Sequence, residues 1–169
     1  MRAVAILLGA LAVVMPTRAV ELSEYQLKAA FLYNFARFTE WPVEVGGTLK
    51  LCIQGQDPFG PELEELQGKA VGARRISVER KPAAGTLRRC QIVVITQSAA
   101  KDLPDTIGSL RNAPALTVAE SPDATRQGAM LNMEVTRDKI VFSANLRSAQ
   151  QARLVLSSKL LGLATEVIR

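Results

Sequence analysis

The stretch TLKLCIQGQDPFGPELEEL, residues 48–66, decides the fold class. Its first seven residues alternate in polarity as a half-buried strand does. GQDPFG then interrupts the alternation. Asp57 falls at an N-cap position and Pro58 at the first helical position of a helix predicted to run to about Leu66. A strand that feeds straight into a helix is the repeating step of α/β architecture.

Toward the C-terminus the same step recurs. Strands are predicted over 75–79, 91–96 and 116–119, with a helix over 99–110 between the last two. Residues 130–135 and 139–145 alternate on either side of Thr136-Arg137-Asp138, the pattern of an antiparallel hairpin. The last predicted element is a helix over 146–167, with Leu146, Ala149, Leu156, Leu160 and Ala164 as its apolar stripe. Together these predict a three-layer α/β fold. Its sheet is mostly parallel, with helices on both faces and an antiparallel C-terminal hairpin at the edge.

Toward the N-terminus lies AAFLYNFARFTEWP, residues 29–42. Six of the eight aromatic residues fall between positions 25 and 41. A helix over 21–39 places Leu27, Phe31, Phe35 and Phe38 on one stripe and Tyr25, Ala29, Leu32 and Ala36 on another, which predicts two packing neighbours. Lys28 and Arg37 interrupt the run and it is too short to span a bilayer, so it reads as core. Trp41-Pro42 stops it. Tyr33 and Trp41 remain candidate exposed anchors for a partner.

Further upstream, Arg2, the 13-residue run AVAILLGALAVVM and Thr17-Arg18-Ala19 match the three parts of a secretory signal. Residues 1–19 are read as a cleavable signal peptide. Residues 20–169 are read as one exported domain that does not itself span the membrane, because Pro16 and Arg18 cut the apolar run short of the ~20 residues needed. No repeat or linker divides it. After cleavage 19 basic residues stand against 16 acidic, a formal charge of +3. The paired basic residues Arg74-Arg75, Arg80-Lys81 and Arg88-Arg89 are scattered along the chain, which argues against nucleic-acid binding.

No histidine occurs, so Ser-His-Asp and Cys-His catalysis and imidazole metal sites are excluded. No phosphate-binding, nucleotide-binding, nucleophile-elbow or calcium-loop motif appears. Catalytic residues, metal and cofactor are therefore all expected to be absent. Glu62, Glu64 and Glu65 fall in the first turns of a helix, where they favour its positive end. Cys52 and Cys90 allow one pair in an oxidising compartment; two buried thiols or a reactive thiol are the alternatives.

Two features carry a binding role. GQDPFG sits where a strand hands over to a helix, the place where α/β folds put ligands, so Asp57 and Phe59 are candidate contacts. A cap and a hydrophobic plug explain the same two residues. Arg153 falls inside the apolar stripe of the last helix. Either its head reaches water past the sheet edge, or it enters a cleft and meets an acid of the protein or of a ligand. The second outcome, joined to GQDPFG, describes a module for an anionic small molecule.

The segments KAAFLYNFARFTEWP, LCIQGQDPFGPELEEL, CQIVVI and GAMLNMEVTRDKIVFSANLRSAQQARLVLSSKLLGLA, in that order, resemble the YfiR family over essentially the whole exported chain. The Trp-Pro block and the Ser-Ser-Lys-Leu-Leu block are the specific parts. The resemblance implies a non-enzymatic periplasmic regulator. Such a protein binds the periplasmic portion of an inner-membrane diguanylate cyclase, or of a related sensor kinase, and holds it inactive, so that cyclic-di-GMP and biofilm formation respond to envelope conditions. It also implies a homodimer and disulfides that stabilise the fold. Cys52 and Cys90 match one family pair, whereas a second pair found in some members is absent here, which weakens any redox-switch role.

Overall fold

Ser23 opens the first helix. Its hydroxyl accepts from the Gln26 N–H at 3.2 Å while the Ser23 N–H donates to Gln26 Oε1 at 2.8 Å, a reciprocal cap. This computed structural model describes residues 23–82, 85–137 and 139–169, so the predicted signal segment and Asp138 of the predicted hairpin turn lie outside the described residues. The helix, α1 (Glu24–Arg37), ends sooner than Trp41-Pro42 suggested. Thr39 is the reason: its hydroxyl donates to the Phe35 carbonyl at 2.7 Å and its backbone turns into the short strand β1 (Thr39–Glu40).

After a 3-10 turn at Val43–Val45 come β2 (Thr48–Gln54) and a 3-10 helix, Gly60–Leu66. Asp57 does not cap that helix. Its carboxylate accepts from the Phe59 N–H two residues on, at 2.8 Å, which closes a local turn and delays the helix start. Then follow β3 (Ala70–Val71), β4 (Arg74–Glu79), β5 (Ile92–Ile95), α2 (Leu103–Ser109) and β6 (Leu116–Ala119). The hairpin is β7 (Leu131–Thr136) with β8 (Lys139–Asn145), in register from Leu131↔Ala144 to Thr136↔Lys139.

The predicted final helix is not one helix. It is α3 (Leu146–Gln151), β9 (Val155–Leu156), the single turn α4 (Ser158–Leu161) and β10 (Glu166–Ile168). Two local features stand at the break, which the pairing of β9 with β1 decides. Arg153 takes φ +59° and ends α3 in a Schellman motif, with the Leu154 N–H on the Ala149 carbonyl and the Arg153 N–H on the Gln150 carbonyl, both 2.9 Å. Ser157 then caps α4 through its hydroxyl, which accepts from the Leu160 N–H at 3.2 Å.

The main sheet has eight strands in the order β10-β8-β7-β6-β5-β2-β4-β3. From β7 to β4 every pairing is parallel, whereas β8 and β3 run antiparallel to their neighbours β7 and β4. The fold is mixed α/β, as expected. The hairpin, however, is not outermost: β10 adds parallel to β8, with Val167 opposite Ala144. Alternate residues of β5 feed two cores. Ile92 and Val94 join the core beneath α1, with Leu32, Phe35 and Phe142. Val93 and Ile95 join the core with Leu103 of α2 and the Cys52–Cys90 disulfide.

Candidate functional site

A second, two-stranded sheet makes a corner at the end of α1. In it β1 pairs antiparallel with β9, Thr39 opposite Leu156 and Glu40 opposite Val155, and the Ser157 N–H donates to the Phe38 carbonyl at 2.9 Å. Residues 39–45 and 153–157 thus meet across more than a hundred residues of sequence. Two valines of this corner face water: Val43 is 92% exposed and Val155 54%. Trp41, 9% exposed, donates its indole N–H to the Ala36 carbonyl at 3.1 Å. Arg74 closes the far side with a bond from Nη2 to the Pro42 carbonyl at 3.3 Å.

Arg153 belongs to this corner. Its guanidinium pairs with Glu44, an acid of the protein's own chain, and both side chains are largely exposed. A hydrogen bond from its own backbone N–H, together with the Arg153 charge, holds the Glu44 carboxyl below the usual carboxylate range. Trp41 is thus buried in the core cluster, not an exposed anchor, while Arg153 stands exposed on the corner.

Asp57 and Phe59 lie elsewhere. Phe59 is fully buried and meets Tyr25 edge-on at 5.2 Å, in the first turn of α1, whereas the Trp41 indole bonds back to Ala36 near the last turn, about 16 Å along the helix axis. GQDPFG and Arg153 do not share a cleft. The loop's polar groups are also spent internally: Asp57 pairs with Arg80, and the Gln56 N–H donates to Ser98 Oγ at 2.7 Å. A Cβ on Gly55, which holds φ +99°, would lie 2.3 Å from Thr96 Oγ1, so the crevice between β2 and β5 is filled by the chain's own hydroxyls.

The carboxyl-terminal ends of β5, β6 and β7 hold a charged cluster instead. Lys28, buried on α1, reaches Glu24 at 2.6 Å and Glu120 at 3.0 Å, and lies 4.7 Å from the Tyr25 ring. The Glu120 side chain is 4% exposed, and Lys28 is the one partner of its buried Oε1 among the described residues. Burial draws the Lys28 ammonium down, but its contacts with Glu24 and Glu120 outweigh that and the net shift is upward. Burial pushes the Tyr25 phenol up. No group of three or more acidic, histidine or cysteine side chains able to hold a metal occurs among the described residues. No helix among them is long and apolar enough to cross a membrane.

The family model described as YfiR/HmsC-like matches residues 25–165, from the Tyr25 end of α1 through the corner to the loop before β10. The chain belongs to the YfiR/HmsC-like family. No curated protein matches it. Among solved structures, this YfiR/HmsC-like chain is similar to a conserved domain protein from Vibrio cholerae O1 biovar El Tor, with 9% identity, TM-score 0.57 and 87% of this chain covered against 61% of that one. It is also similar to the ABC domain in complex with L-Trp from Streptococcus pneumonia, with 8% identity, TM-score 0.55 and coverage of 85% and 60%. The chain spans about three fifths of each, and at such identities the likeness is one of fold.

Sequence reasoning singled out Trp41 and Arg153 but missed what joins them. Val43, Glu44 and Val155 carry no motif, and β1 and β9 are two residues each, below the length at which alternation registers. Lys28 did leave a signal, a cation inside an aromatic run. Its acid Glu120 could not be named from sequence, because only the strand order brings it alongside.

Proposed function

We propose that this YfiR/HmsC-like protein is a non-enzymatic periplasmic regulator that uses the β1–β9 corner to bind the periplasmic sensor portion of an inner-membrane diguanylate cyclase or related signalling protein. One observation carries the reading: two valines of the corner stand exposed beside an ion pair. Exposed apolar side chains rimmed by charge mark interaction sites. The disulfide is in keeping with an oxidising compartment. Mechanistically, the protein binds the inactive sensor conformation more tightly than the active one, and its release shifts the population back.

Family membership supports the regulatory role, while the identity of the partner as a cyclase is part of the proposal. Deleting the gene should raise cellular cyclic-di-GMP, and wild-type protein should restore it. A Val43→Asp, Val155→Asp variant should fail to restore it while accumulating and melting as wild type does. An unchanged cyclic-di-GMP level after deletion sinks the cyclase assignment, and full complementation by the variant sinks the corner.

Small-molecule binding through GQDPFG and Arg153 lacks a shared cleft, as the positions of Phe59 and Trp41 require. The L-Trp complex of the streptococcal domain keeps ligand binding open as a class, at another place in the molecule.

A further inference from the structure

A cavity of about 500 Å3 opens at the amino-terminal ends of β6 and β7, the edge of the sheet opposite the Lys28 cluster. Its size is ordinary for a small-ligand site. The end of α2, the turn after it, the turn before β7 and the last turn of α3 enclose it. Ile107, Leu110, Met130 and Ala152 supply apolar wall. Gly128 keeps that wall back: it holds φ +107°, and a Cβ there would sit 3.1 Å from Ile107 Cγ2.

The polar part of the lining is one-sided. Among the described residues Arg111 is its single charged lining residue, and no Asp or Glu lines it. The Arg111 guanidinium has no hydrogen bond or ion pair among the described residues, and the Asn112 amide, Ser148 hydroxyl and Gln151 amide are equally uncommitted. Thr117, 1% exposed, accepts the Met130 N–H at 3.0 Å through Oγ1, which leaves its hydroxyl proton without an acceptor among the described residues. A buried donor without an acceptor and an unpaired guanidinium thus line one acid-free, half-apolar cavity.

We infer that this cavity binds a small monocarboxylate with an apolar body. The carboxylate pairs with the Arg111 fork, which matches two oxygens at once. Side-chain amides and hydroxyls satisfy its remaining lone pairs, and the hydrocarbon part lies on Ile107, Leu110 and Met130. A free amino acid fits less well, since its ammonium finds no acid on the wall. A polyanion finds no second cation. The inference does not rest on the corner or on its partner.

The test uses the purified protein and the fluorescent monoanion 1-anilinonaphthalene-8-sulfonate, with neutral N-phenyl-1-naphthylamine as its uncharged counterpart. We expect saturable binding of one sulfonate per chain, at least tenfold tighter than the neutral dye. Arg111→Gln should weaken sulfonate binding about tenfold or more, Arg111→Lys less, and Arg137→Gln on the distant hairpin not at all. Ala152→Trp, which fills the cavity, should abolish it. Hexanoate should displace the dye and hexylamine should not. Wild-type affinity in Arg111→Gln, equal binding of the two dyes, or displacement by the amine overturns the inference. Because Arg111 is exposed, its variants should melt as wild type does; a cavity role is separable from the corner, since Arg111→Gln should leave the Val43 and Val155 surface intact.

Discussion

Arg153 shows how one residue serves conformation and surface together. It occupies the left-handed position that ends α3, where glycine is the usual choice because a side chain there carries strain of roughly 1 kcal/mol. Arg153→Gly should therefore raise unfolding stability by about 0.5–1 kcal/mol in urea titrations while weakening partner binding. Lys28 behaves oppositely. Removing it strands the Glu120 carboxylate in the interior, so Lys28→Met should cost about 3 kcal/mol, whereas Lys28→Met with Glu120→Met should recover most of that loss. A double-mutant cycle measures the difference. The sign with pH follows from the upward shift: the Lys28 contribution is fully present below the ordinary lysine value of 10.5 and is lost as pH rises through the higher folded value.

At the scale of elements, the C-terminal segment is where sequence reading and structure part. Leu156 and Leu160 are buried as the helical stripe required, so the apolar periodicity was real. What it lacked was punctuation. Asn145 caps α3 by accepting from the Ser148 N–H at 2.9 Å, Ser157 caps α4, and Gly162 closes it. A serine or asparagine inside an apolar pattern is compatible with a continuous helix, and only the pairing of β9 with β1 decides for a break. Ser157→Ala should destabilise the protein by about 1 kcal/mol. It should also speed amide exchange from Val155 to Leu161 more than elsewhere, because α4 is a single turn that holds β9 in place. Uniform exchange changes would show that the corner is not an independent unit.

For the whole molecule, the disulfide joins β2 to the residues just before β5, a separation of 38 residues, and lies in the core on the α2 side of the sheet. Replacing Cys52 and Cys90 together by serine should cost about 2–4 kcal/mol, read from denaturation with and without reductant. Alkylation of the denatured wild type should find no free thiol before reduction and two after. By itself the sequence determined the α/β class, the strand-to-helix step at residues 48–66, the hairpin and the aromatic helix, since each rests on a periodicity or a turn signal confined to a few neighbouring residues. Only tertiary structure decided the order of the strands, the extra edge strand β10, the split of the last helix and the meeting of residues 39–45 with 153–157. Those depend on backbone hydrogen bonds and charges paired between distant segments, and no local pattern records which distant segment will supply the partner.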